Sequence, residues 1–464
     1  MSDRDGPVEL QEPLSELVRP PSRFVHDLEF PPPDRIRVYD DTLRDGEQMP
    51  GVAFSPRDKY ELARALSDIG VHVMDVGFPA VSESERETLR LVLEGRRRGE
   101  LRRDLEVVCM MRSNPGDIDS TMRVLDELGH ARDSVTYFVF TSASDLHVKY
   151  KLGRTLLARE GLPVSEWLEL PVAFYRDANV RLLTEAIAYA REKGAVEIEF
   201  GGEDGSRADP SYIERLHLEG LAAGGTRPST PDTVGCYSPY AVQQYIRRLK
   251  AATPDCSLVV HFHNDLGLGA WNTVVALGSG ADVFTTSVNG IGERTGNAPM
   301  HQVLLQLRYL FDISIPGFGY EKLRDLARYM ERISGVMVQP TEPGIGQNVF
   351  SHESGIHTAG MLIHPEIYQF IPPAQLGGEV RYVYGKHSGA VVIEHALREA
   401  GIRPEPELVT RVMTEVKRVR EERAESSDFS AFQRAYYDEL EGMGVSAEEV
   451  AEIGAALIGG SEGC

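Results

Sequence analysis

Ser257-Leu258-Val259-Val260-His261-Phe262-His263-Asn264-Asp265 opens as an apolar run and ends in alternating imidazoles. An apolar run of this length reads as a buried strand, and the period-two alternation puts His261 and His263 on one face. A strand spaces such neighbours roughly 6.5 Å apart, near enough for both rings to turn onto one divalent ion. Two histidines in a polar strand end would look the same, so other segments decide the reading. The run from Ile36 ends in Tyr39-Asp40-Asp41-Thr42-Leu43-Arg44-Asp45-Gly46-Glu47-Gln48, and the run from Val283 ends in Val288-Asn289-Gly290-Ile291-Gly292-Glu293-Arg294-Thr295-Gly296-Asn297. In all three, charge gathers where an apolar strand stops, and glycines in the last let backbone and side chains crowd a ligand.

Outward from these segments, strand-like runs recur at 36–42, 71–78, 105–112, 134–141, 195–201, 228–235, 257–263 and 283–289. Helical patterns fall between them, for example at 56–69, 82–94, 117–128, 179–193, 239–252 and 270–278. Eight alternations of strand and helix predict an α/β fold, a (β/α)8 TIM barrel over residues 35–315, whose site lies at the carboxyl ends of the strands. Residues 1–34 carry Pro7, Pro13, Pro20, Pro21 and Pro31 to Pro33 and read as a proline-rich N-terminal arm. Residues 316–400 form a linker or subdomain with a helix at 320–333. Residues 401–464 are a helical C-terminal tail with its clearest helices at 409–423 and 447–457.

Composition narrows the function classes. The 464 residues suffice for a barrel with appendages, and 42% hydrophobic content is that of a globular protein. A net charge of -22 argues against nucleic acid and anionic membrane surfaces as partners, so anionic substrates must be drawn by local positive charge. Cys109, Cys236, Cys256 and Cys464 have neither ligand-like nor disulfide-rich spacing, and no signal-like or membrane-spanning stretch is seen. A cytoplasmic location is the expectation.

The three segments do not stand alone. Thr141-Ser142, His147-Val148-Lys149-Tyr150-Lys151-Leu152, Pro231-Asp232-Thr233-Val234-Gly235 and Asn348-Val349-Phe350-Ser351-His352-Glu353-Ser354-Gly355-Ile356-His357 complete an ordered set. Together they resemble the metal-dependent acyl-CoA condensing and cleaving superfamily that contains isopropylmalate synthase, homocitrate synthase and hydroxymethylglutaryl-CoA lyase. The resemblance runs from about residue 36 to about residue 393.

The resemblance implies that Asp45, His261, His263 and Asn297 hold a divalent metal, and mixed oxygen and nitrogen ligation suits Mg, Mn, Co or Zn. It implies that Arg44 stabilises oxyanion charge, and that Glu203, Glu293, His357 and Tyr368 form an acid–base network. His357 and Tyr368 would act across a homodimer with active sites shared between subunits. Gln48, His147, Arg207 and Thr233 would neighbour the 2-oxo acid. The implied reaction is a Claisen condensation of acetyl-CoA, or a similar acyl-CoA, with a 2-oxo acid, followed by thioester hydrolysis, as in isopropylmalate synthase. Homocitrate, citramalate, Re-citrate and phosphono- or phosphinomethylmalate synthases are alternatives, and a lyase like the hydroxymethylglutaryl-CoA enzyme is another. Tyr368, eleven residues beyond His357, sits in a segment that superfamily lyases lack, which favours a synthase.

Three departures bear on the substrate. Glu199 stands where homocitrate synthases carry an arginine on the fifth strand, which argues against 2-oxoglutarate. Val76-Gly77-Phe78-Pro79 looks like an isopropylmalate or citramalate synthase, whereas Phe200-Gly201-Gly202-Glu203 departs from both, and its glycines are expected to enlarge the pocket wall. Ala390 follows Lys386-His387-Ser388-Gly389 in place of the usual arginine. His352, His364 and His387 read as structural.

Overall fold

The eight runs become eight parallel strands that pair in sequence order and close on themselves. They are β1 (Arg37–Asp40), β2 (Val73–Asp75), β3 (Glu106–Arg112), β4 (Thr136–Ser142), β5 (Glu197–Glu203), β6 (Arg227–Asp232), β7 (Val259–Phe262) and β8 (Val283–Thr286), with β1 joined to β8 to complete the ring. The computed structural model describes residues 8–13, 17–18, 27–426, 429–442, 444–446 and 448–453.

Several barrel helices begin where the sequence supplies a cap. Ser55 and Asp58 form a reciprocal capping box ahead of Pro56–Ile69, and the Ser82, Asn114 and Ser238 side chains cap Glu83–Arg98, Pro115–Leu128 and Pro239–Ala252. Gly70 ends the first helix at φ 107°, and a Cβ there would meet Gly317 O at 2.7 Å. Only glycine fits that left-handed, backbone-crowded position.

Strand ends differ from the sequence reading for local reasons. β1 stops at Asp40 because that carboxylate accepts bonds from Thr42 N (3.0 Å) and Thr42 Oγ1 (2.8 Å), turning the chain. β2 stops at Asp75, where Gly77 donates its N–H to Asp75 Oδ1 at 3.1 Å. The fourth helix pattern begins at Val172 rather than 179, directly after Pro171, and runs to Glu192. A short helix, Gly153–Arg159, was not expected between β4 and Val172–Glu192. It is held by the buried cluster of Val148, Leu156, Leu157, Tyr175 and Ala178.

Inside the barrel, Tyr39, Val73, Val108, Val259 and Val283 pack together against Phe138. At the amino ends of the strands Arg37 binds Glu106 (2.7 Å), and Arg227 binds both Glu106 (2.6 Å) and Glu199 (2.8 Å).

The chain divides into two compact units, residues 25–319 with 329–334 and residues 1–24 with 320–328 and 335–464. The first is the barrel, against which Glu29 donates its N–H to Gly278 O at 2.8 Å. In the second, Ser351–His352 pairs in parallel with Arg381–Tyr382, and helices Gly355–Ile363, Ala390–Glu399, Pro406–Ser426 and Ser430–Gly442 follow the chain. Phe350, Met361, Leu376, Val392, Ile393 and Val409 are among its buried apolar residues. Pro7, Pro20, Pro21, Cys464 and both ends of the helix read at 447–457 lie outside the described residues, and 448–453 are helical. No helix among the described residues is long and apolar enough to cross a membrane.

Candidate active site

The three charged segments converge at the carboxyl end of the barrel. Asp45 follows β1, and His261 and His263 lie at the end of β7. Both Nε2 atoms face one oxygen, Asp45 Oδ2, at 3.7 Å for His261 and 4.0 Å for His263. The three side chains are buried, and one ligand atom from each lies within 4.8 Å of the others. His261 is fixed from behind, its Nδ1 lying 2.7 Å from Thr285 Oγ1 and 3.0 Å from Asp41 Oδ2. Such support leaves Nε2 facing Asp45, the arrangement of a histidine that could take a metal ion.

Arg44 runs beside this triad. It donates to Asp75 Oδ2 and Asp45 Oδ2 at 2.7 Å each, and lies 3.8 Å from Asp41 Oδ2. Three buried carboxylates thus face one guanidinium, a surplus of negative charge that a dication offsets. Burial alone would raise the Asp45 carboxyl, but Arg44, His261 and His263 hold it well below the usual range. Burial pushes Asp75 up to about 6 against the pull of Arg44. Burial and the neighbouring His261 bring His263 down to about 4, keeping it neutral as a ligand must be. Asn297 is also buried, with Nδ2 3.3 Å from Asp41 Oδ1 and Oδ1 without a hydrogen-bond partner. An orphaned buried carbonyl oxygen beside Asp41 fits a fourth ligand, so the donor set matches a divalent cation.

These groups open onto a cavity of about 310 Å³ that is also lined by Gln48, Glu203, Thr233 and Glu293. Glu203 is ion-paired with Lys151, and His147 approaches Glu203 at 3.8 Å and Asp204 at 3.6 Å from outside the lining. Arg207 is not brought to the cavity: it forks onto the fully buried Asp204 at 2.8 Å, which sits at φ 66° and needs a counter-charge. Thr233 Oγ1 accepts from Asp204 N at 2.8 Å. His357 and Tyr368 belong to the second unit, where their rings stack with centroids 4.1 Å apart. Lys386 there pairs with Glu421 at 3.7 Å, both exposed.

The β5 glycines do not enlarge the wall. A Cβ on Gly201 would stand 2.4 Å from Ser229 O of β6, and one on Gly202 would stand 2.7 Å from Ala143 Cβ, so both places are already filled. Asp41, Asp75 and Lys151 were missed as site residues. Asp75 carried the same signal as Asp45, a carboxylate where an apolar strand stops, within a run that read as strand throughout.

Comparison with known proteins gives a family model described as HMGL-like over residues 35–159 and 162–329, and one described as homocitrate synthase post-HMGL domain-like over 345–424. A homocitrate synthase AksA of Methanopyrus kandleri is 34% identical over 397 residues, spanning 85% of this chain and 90% of that protein. A probable 2-isopropylmalate synthase of Ignicoccus hospitalis is 37% identical over 389 residues, 83% and 88% of the two chains. A putative (R)-citramalate synthase CimA of M. kandleri is 35% identical over 389 residues, 84% and 69%. Among solved structures, the HMG-CoA lyase of Bacillus subtilis matches with a TM-score of 0.51 at 20% identity, covering 66% of this chain and 96% of that one, a likeness of fold.

Proposed function

The chain belongs to the HMGL-like family, and from that premise we propose that it is an acyltransferase that joins acetyl-CoA to a 2-oxo acid by Claisen condensation and then hydrolyses the thioester. The observation that carries this reading is the buried triad of Asp45, His261 and His263 beside Arg44, opening onto one cavity. The match of residues 345–424 to the post-HMGL model favours a synthase over a lyase.

We assign Asp45, His261, His263 and Asn297 as the residues that would hold Mg, Mn, Co or Zn, which when bound supplies Lewis-acid polarisation of a chelating 2-oxo acid. Arg44, already fixed by Asp75 and Asp45, offers its guanidinium to the oxyanion that develops as the carbonyl is attacked. Gln48 and Thr233 orient the acid from the cavity wall. A methyl proton leaves the acetyl thioester, the resulting carbanion bonds to the carbonyl carbon, and the alkoxide takes up a proton. Water then cleaves the thioester, releasing free CoA and a second carboxylate. Glu203 and Glu293 line the cavity and are the near candidates for these proton transfers.

In this reading His357 and Tyr368 are an acid–base pair supplied to the partner subunit's barrel, so the enzyme is a homodimer. Residues 1–34, 35–315, 316–400 and 401–464 are its arm, catalytic barrel, linker and tail. An acidic, cytoplasmic enzyme is supported by the net charge and by the free thiols of Cys109, Cys236 and Cys256.

The test is thiol release from acetyl-CoA by metal-loaded protein against a panel of 2-oxo acids. Release with one acid is expected. Silence across the panel, together with carbon–carbon cleavage of a 3-hydroxyacyl-CoA, would make the protein a lyase.

A further inference from the structure

Deeper in the same cavity the strand registers define successive levels. Ser142 lies level with Glu203, Phe140 with Gly201, and Phe138 with both Glu199 and Met110. Phe78, Met110, Phe138 and Phe140 form the wall. The rings pack with centroids 6.3 Å apart for Phe78 and Phe140 and 6.5 Å for Phe138 and Phe140. None of the four is fully covered, although three project from interior strand positions. Apolar surface left open inside a barrel is surface for an apolar ligand group.

The far end is polar. Glu199 is 1% exposed, and its Oε2 accepts from Arg227 Nε (3.1 Å) and Nη2 (2.8 Å). The pair has a direction. Glu199 lines the substrate cavity and Arg227 does not, whereas the cavity at the opposite end of the barrel is lined by Arg227, Glu106 and Arg37 and not by Glu199. A ligand in the upper cavity therefore meets the carboxyl group and not the guanidinium. Tyr39, also in the lining, stands near enough for Glu199 to act on its phenol, which burial and that carboxylate both push well above its ordinary range. Among the described residues nothing bonds to Glu199 Oε1 or to Tyr39 Oη.

Building on the assignment of this cavity to a 2-oxo acid, we propose that the acid carries a ring or comparably bulky apolar side chain tipped by an uncharged hydrogen-bond donor, with Glu199 and Tyr39 as specificity-determining residues. A carboxylate or phosphonate tip at this depth would be an anion that Arg227, turned to the opposite end of the barrel behind Glu199, does not meet, and a short alkyl chain would reach neither polar group. Discrimination by a buried hydrogen-bonding pair exceeds that of one extra methylene, because the wrong ligand leaves the pair unmatched.

The experiment is calorimetric binding of 4-hydroxyphenylpyruvate, phenylpyruvate, 2-oxoisovalerate and 2-oxoglutarate to the metal-loaded full chain without acetyl-CoA, alongside thiol release with it. We expect 4-hydroxyphenylpyruvate to bind about tenfold or more tighter than 2-oxoglutarate, with Glu199→Gln narrowing that ratio. Tyr39→Phe, which deletes one hydroxyl, is expected to narrow the preference for the hydroxylated over the plain ring, and it decides the matter if Glu199→Gln does not fold. Tighter binding and faster release with 2-oxoglutarate or 2-oxoisovalerate would overturn this proposal and leave the condensation standing. Tight, Tyr39-dependent binding of the aromatic acid with no thiol from any acid would uphold it and overturn the condensation. No binding of any acid would overturn both.

Discussion

Replacing Lys59 with methionine tests what a buried ammonium does for the shape of the site. Lys59 is 1% exposed on the helix Pro56–Ile69, and it bridges Glu47 at 2.6 Å and also pairs with Glu85. The other oxygens of those carboxylates accept the N–H groups of Phe54 (2.7 Å) and Phe78 (2.8 Å). One cation therefore ties the turn after β1, which carries Gln48, to the turn after β2, which carries Phe78. Breaking a fully buried ion pair from one side costs about 3–5 kcal/mol, because the remaining charge is left uncompensated. Glu47 and Glu85 keep 23% and 14% of their side-chain exposure, so water relieves part of this. We expect a loss of about 3 kcal/mol, equivalent to a fall in melting temperature of roughly 6–10 °C. Urea unfolding of Lys59→Met beside the triple variant Lys59→Met, Glu47→Gln, Glu85→Gln reads this out, and the triple variant should regain most of the loss. A single-variant loss below about 1 kcal/mol, or a triple variant no more stable than the single, refutes the assignment of Lys59 as the neutralising charge.

His261→Ala is expected to abolish metal binding, measured by calorimetry or elemental analysis, with the far-UV spectrum unchanged, since barrel stability resides in the packed strands; loss of fold would make the cluster structural. Burial pushes Glu199 up to about 7 against Arg227, so the folded chain keeps a proton that the unfolded chain releases near 4.5. The stability this lends is full below about 4.5 and is lost as the pH rises through about 7, so the urea midpoint should decline across that window, and Glu199→Gln should flatten the decline. Mixing Arg44→Ala with His357→Ala protein is expected to restore part of the activity that each lacks; no recovery despite demonstrated subunit exchange would remove the shared site.

The barrel was legible because most of its strands lie in apolar runs and several of its helices open with Ser or Asn caps followed by Pro. Strand ends were not, because Asp40 and Asp75 turn the chain through side-chain bonds to their own neighbours, which no periodicity encodes. The metal triad was legible from HxH and from a carboxylate ending a strand. Arg207 was read as a substrate neighbour, and only the fold shows that the buried Asp204 claims it. Lys59, in the charged stretch Pro56-Arg57-Asp58-Lys59, has the sequence of a solvated helix face, and its burial depends on Glu47 arriving from the turn after β1 and Glu85 from the helix Glu83–Arg98. Glu199 stood out as a departure, but its partner Arg227 lies 28 residues on, in the next strand.

The ring closes between the first strand and the last, and Thr42 and Val288, bonded across that seam, are 246 residues apart. During synthesis β1 therefore leaves the ribosome with one lateral row of N–H and C=O groups unpaired until β8 follows, a long interval of vulnerability to wrong pairing. Asp45 and the two histidines span nearly the same interval, so an ion cannot recruit a nascent fragment and can reward only a chain whose ring has almost shut.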